Sequence, residues 1–154
     1  MLETPHVVVA AAIATKISNP IVSLPLAFAS HFLLETIPHW NPHLNSEIKL
    51  KGKISNLSKT IISFDVFTSL LSGFFIASLS LPDNLKFLTI VLACFVATLP
   101  DLIEAPYYLA GKEINFLIKR WIPFKKFLQS DTSLFWGTLN QILIIAVSFW
   151  WILG

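Results

Sequence analysis

From Thr60 to Leu81 the chain carries one charged side chain, Asp65, among residues that are otherwise apolar or small. At about 1.5 Å of rise per residue, a helix of that length reaches across the roughly 30 Å of hydrocarbon in a bilayer. Leu134 to Leu153 is a second such run, with no charge in it. A chain of 154 residues has no single soluble core large enough for both. Its composition agrees: 55% of residues are hydrophobic, 13% are charged and the mean hydropathy is +0.70, whereas soluble domains carry roughly a quarter charged residues. The expected fold class is an all-α integral membrane bundle forming one domain over residues 1–154, with lipid as its solvent.

Five apolar segments are expected in that bundle. The first, residues 6–17, is too short to span and reads as a partial helix or one packed among the others. The turn at 18–20 places Pro20 in the first turn of the second segment. That segment runs to about Ile37, carries Pro25, and ends before Pro38, because a residue preceding proline is biased away from the helical region. Residues 39–59 are polar, with Lys49, Lys51, Lys53 and Lys59, and read as a loop. The third segment is Thr60 to Leu81, the turn is Leu81 to Asn84, and the fourth is Leu85 to about Leu99. A second polar stretch, 104–133, mixes Lys112, Lys119, Arg120, Lys125 and Lys126 with Trp121 and phenylalanines, the pattern of a helix lying on a membrane surface. The fifth segment, Leu134 to Leu153, ends with interfacial Trp150 and Trp151.

Each spanning segment reverses direction, so both lysine-rich stretches fall on one side. Lysine in short loops marks the cytoplasmic side, which places the N-terminus there. The opening "MLETPH" lacks the positive region of a secretory signal peptide, so the apolar helices themselves are the expected targeting signal. The single cysteine, Cys94, leaves the redox compartment unreadable.

On this threading the ionisable residues gather at the lysine-bearing end. His6 begins segment one, His31, Glu35 and His39 lie toward the end of segment two, and Asp65 is one to two turns into segment three. Asp101 and Glu104 end segment four, and Asn140 and Gln141 lie near the start of segment five. The opposite end offers only Lys16, Asp83 and Lys86, in or near turns. Histidine and carboxylate within membrane segments are expensive, and they mark functional sites when they face an interior. His31 and Glu35 are four apart and share a helix face. Neutral imidazole with carboxylate suits a divalent ion, zinc or manganese foremost and iron as well. The expected ligand set is His6, His31, Glu35, His39, Asp65 and Asp101. Glu35, Asp65 and Glu104 are the candidates for acid–base work.

The stretches "TPHVVVAAAIA", "ASHFLLETIPHW", "ISFD" and "LPDLIEAP" resemble blocks of a family of small bacterial membrane proteins, the LexA-regulated inner-membrane hydrolases. That resemblance implies a metal-dependent hydrolase in a bacterial inner membrane. It matches His6 to the family's early histidine, Ser30, His31 and Glu35 to its serine–histidine–acid block, and Leu99, Pro100 and Asp101 to its leucine–proline–aspartate block. Many members have aspartate where this chain has Glu35. Many also carry a histidine–arginine–glycine–x–threonine–histidine block that is absent here.

Duller explanations compete residue by residue. His6 can be a polar helix start, and His31 can bond a neighbouring helix. His39 and His43 can be interfacial loop residues, Asp65 can pair with Lys59 or cap a helix, and Glu104 can sit wet among headgroups. Asn140 and Gln141 are more often helix-to-helix glue. The lysine stretches can be topogenic only, or can also attract anionic lipid, at about 1 kcal/mol per lysine near the surface. Membrane lipid is therefore the expected partner, with a lipid or phosphate ester as the candidate substrate, and a second copy of the chain is a further candidate partner. No phosphate-cradling glycine loop, nucleophile elbow or nucleic-acid signature is present. Two rival functions use the same residues: a divalent-ion or proton transporter, which needs polar groups at the far end too, and a non-enzymatic assembly protein held together by its polar cluster.

Overall fold

In the computed structural model, which describes residues 1–154, every regular element is a helix. The first two are α1 (Glu3–Lys16) and α2 (Pro20–Glu35). The Asn19 side chain accepts the Ile21 N–H at 3.0 Å and Pro20 stands at the first helical position, so α2 begins as its turn residues require. α2 continues through Pro25 and stops at Glu35, short of Pro38. Part of the polar stretch that reads as loop is a helix, α3 (Leu44–Lys51), closed by Gly52 at φ +68°.

The long apolar helices follow. α4 (Asn56–Ser78) starts earlier than hydropathy suggests, because the Ser55 hydroxyl caps it by accepting the Ser58 N–H. α5 (Asn84–Leu102) is capped by Asp83 and runs on past Leu99 through Pro100. The second polar stretch holds α6 (Ala105–Ala110), a π-helical turn (Leu117–Trp121) and α7 (Ile122–Leu128). α8 (Leu134–Leu153) has the expected bounds.

α1 is the centre of the bundle, with α2, α4, α5 and α8 packed around it. Val8, Ala10, Ala11, Ala12 and Ala14 are fully buried. Small side chains let neighbouring backbones come close, and Gly73 of α4 serves the same purpose. A Cβ there would meet Val7 Cγ1 at 3.1 Å and Cys94 Sγ at 3.3 Å. The short first segment is thus the packed-among-others alternative, not a partial span.

Three helices are long and apolar enough to cross a membrane: α4, α5 and α8, with mean hydropathy of 1.7, 1.8 and 1.5. α2 is apolar but shorter. Their outward faces are bare hydrocarbon: Phe67 is 59% exposed, Leu143 52% and Trp150 77%. Apolar patches that extensive ask for an apolar surrounding.

One end of the bundle is tied across the chain. Gln141 of α8 donates to the Trp40 carbonyl at 2.9 Å and accepts the Leu2 N–H at 2.9 Å. Asn140 donates to the Pro38 carbonyl at 2.7 Å. The His39 backbone pairs with residues 130–132, donating to Ser130 O and accepting from Thr132 N, each at 3.0 Å. These links bring the starts of α1 and α8 against the end of α2.

Candidate metal centre

The polar end anchors one nitrogen of each histidine ring, on a backbone carbonyl for His31 and His39 and on a carboxylate for His6, and leaves the other idle. His31, on α2, bonds through Nδ1 to the Ala97 carbonyl of α5 at 2.8 Å. A carbonyl only accepts, so Nδ1 carries the proton and Nε2 is a bare lone pair. That Nε2 is buried with no hydrogen-bond partner, and Asp101 Oδ2 lies 3.9 Å away. His39 repeats the arrangement. Its Nδ1 donates to the Ile37 carbonyl at 2.8 Å, and its orphaned Nε2 faces Glu35 Oε2 at 3.7 Å. Burial holds the His39 ring below the usual imidazole range, in its neutral form.

His6, on α1, approaches Glu35 Oε1 through Nε2 at 3.3 Å, and its Nδ1 is buried without a partner. The ring stacks on His31, centroids 4.1 Å apart. One donor atom from each of His6, His31 and Asp101 falls within 4.8 Å of the others. These three come from α1, α2 and α5.

The other expected residues stand around that group. Glu35 meets His6, His39 and the Met1 amino group. Asp65 of α4 accepts from Glu3 N at 2.5 Å, Thr4 N at 3.1 Å and the Thr4 hydroxyl at 2.7 Å. Its carboxylate satisfies the open N–H groups at the start of α1 and lies outside the three-donor group. Glu104 is buried, and burial together with the charge of Glu35 pushes its carboxyl up to about 7. His43, at the start of α3, takes no part in the group.

Two members escaped the reading of the sequence. Lys125 of α7 is buried and pairs with both Asp101 and Glu104, the latter at 3.6 Å. Burial pulls its ammonium down to about 8. The signal was there: Leu117, Trp121 and Lys125 recur every fourth residue, which puts the lysine on the inward face. Glu3 is the other, with a buried, unpartnered Oε2 beside Asp65. No local pattern distinguishes it from a helix-start acid.

The donor set fits a divalent ion. A buried polar atom without a partner costs about 1–3 kcal/mol, and here three imidazoles each carry one. A lone pair facing a carboxylate oxygen gains nothing unless a cation or proton lies between them. Two imidazoles and a carboxylate are a common zinc or iron donor set, and second hydrogen bonds such as His31 to Ala97 are what orient ligating rings. Tetrahedral bonds of about 2.1 Å set neighbouring donors about 3.4 Å apart. The 3.9 Å between His31 and Asp101 is about half an ångström wider.

No family model, curated protein or solved structure matches this chain.

Proposed function

We propose that the chain is an integral membrane protein of the bacterial inner membrane, with a metal-dependent hydrolase site at its lysine-rich, cytoplasmic face. The observation that carries the reading is the set of three buried imidazoles, each with an unpartnered nitrogen, gathered beside Asp101 and Glu35. An assembly role alone leaves those nitrogens unexplained, because a purely structural cluster would pair them. A transport role needs polar groups at the far end, where the sequence has only turn residues. The reaction class comes from the motif likeness to inner-membrane hydrolases; the bonds within reach are those of a lipid or phosphate ester.

In this reading His6, His31 and Asp101 hold the ion, zinc or manganese, with His39 and Glu35 next to them. When bound, such an ion lowers the pKa of water and polarises a phosphoryl or carbonyl oxygen. Glu104, buried and pushed up to about 7, carries a proton to or from the reacting group near neutral pH. Lys125 balances the acids and keeps Asp101 in place. Asp65 holds the first turn of α1, and so His6, in register.

Elemental analysis of the purified protein after metal loading and desalting tests this. Wild type is expected to retain zinc or manganese, and His31→Ala and Asp101→Ala to lose it. A wild type without metal, whose thermal unfolding ignores chelators, would overturn the reading in favour of the assembly role.

A further inference from the structure

α4 and α5 meet at Gly73 and Cys94, where a Cβ on the glycine would touch the sulfur at 3.3 Å. From there toward Asp65 and Asp101 both helices line a cleft of about 840 Å³. Val66, Leu70 and Phe74 form one wall, Val91, Phe95 and Leu102 the other, and Val7 of α1 is at the floor. Leu70 and Phe95 are exposed, so the cleft opens sideways, away from the bundle axis. Its far end is lined by Glu35, Asp101, Glu104 and Lys125. The cleft is therefore apolar along its length and ionisable at one end.

We infer that this cleft takes up one hydrocarbon chain of a phospholipid from the surrounding leaflet, with the bond between chain and headgroup delivered to the end lined by Glu35, Asp101, Glu104 and Lys125. The walls are helices apolar enough to span, so the cleft lies at bilayer depth, where its choices are a lipid chain or another helix. The order of chemistry along the cleft separates the two: hydrocarbon and then charge is the order of a lipid, and a second apolar helix would leave the charged end without a counterpart. Its volume is also in the range of small-molecule sites, about 300 to 1,000 Å³. The substrate class rests on the hydrolase reading; occupancy of the cleft does not.

Photolabelling of the full chain in phosphatidylethanolamine–phosphatidylglycerol vesicles tests the inference. The probe is a phosphatidylethanolamine with a diazirine near the end of one acyl chain. Labelling at Phe74 and Val91 is expected to exceed that at Phe67 and Val147, which face outward beyond the cleft, by about tenfold. Ser69→Trp, which fills the cleft, is expected to remove the excess and keep the label at Phe67. Leu70→Trp, at the exposed rim, gives the same reading if Ser69→Trp fails to fold. Equal labelling inside and outside overturns the inference. So does capture of a second copy of the chain by p-benzoylphenylalanine in place of Leu70. His31→Ala keeps the labelling pattern even without metal, so failure of the metal site and failure of the cleft are told apart.

Discussion

The imidazole rings of His6 and His31 stack face to face, with centroids 4.1 Å apart and planes inclined by 19°. They arrive from different helices, and each leaves a buried nitrogen with no hydrogen-bond partner. Two rings this close are not both imidazolium cations, since like charges at that distance repel strongly in a dry site. A cation held by His6, His31 and Asp101 would give the idle Nε2 of His31 and the Asp101 carboxylate a shared partner.

Metal addition is therefore expected to stabilise the protein. Binding at about 100 times the dissociation constant adds about 2.7 kcal/mol to the native state, and for a domain of this size that raises Tm by about 5–10 °C. Thermal unfolding in detergent, with zinc or manganese against chelator, reads this directly. His31→Ala is expected to unfold at one temperature under both conditions.

Asp65→Ala separates capping from ligation. Three bonds to the start of α1 are lost, and capping losses are worth about 1–2 kcal/mol. Lower stability with metal content unchanged is the expected pair of results. Metal loss as complete as in His31→Ala would make Asp65 a ligand.

Gly137→Ala is expected to be the most damaging single-methyl change. The added Cβ would sit 2.3 Å from the Trp40 backbone nitrogen, which belongs to chain and cannot rotate away. Forcing α8 off that segment costs about 2–3 kcal/mol and strains the Gln141 and Asn140 bonds beside it. Gly52→Ala, at φ +68° in open space, costs about 1 kcal/mol by strain alone. Chemical denaturation of the two variants side by side checks the ranking.

Glu104 predicts a pH dependence. Its carboxyl titrates near 7 in the fold, above the ordinary 4.5, because it is buried and faces the charge of Glu35. The folded protein holds that proton more tightly than the unfolded chain. The contribution is thus complete below about pH 4.5 and is lost as pH rises to about 7. Glu104→Gln mimics the protonated form, so its stability relative to wild type is expected to grow across that interval by on the order of 3 kcal/mol. Denaturation midpoints at both ends measure it; a constant difference would mean that the carboxyl titrates at its ordinary value. Below pH 7 Lys125 stays charged and does not confuse the comparison.

Much of the architecture was legible residue by residue. Runs of apolar side chains announce α2, α4, α5 and α8, because hydropathy and helical rise are properties of contiguous sequence. The gathering of His6, Glu35, Asp65 and Asp101 at one end followed from counting reversals of direction. That α3 forms within a polar stretch, and that α4 begins at Asn56, were hidden because caps and turns act over a few residues that hydropathy averages away.

What the sequence by itself determined is the helical content, the apolar faces and the end at which the ionisable groups collect. Only the tertiary structure decided which atoms are free to act. The Nδ1 of His31 is occupied by a carbonyl 66 residues away, Asp65 is drawn to α1 from 61 and 62 residues away, and Lys125 turns inward onto Asp101. The reason is one of range. Periodicity and hydropathy are read along the chain, whereas a hydrogen bond is settled within a few tenths of an ångström by how separate helices pack.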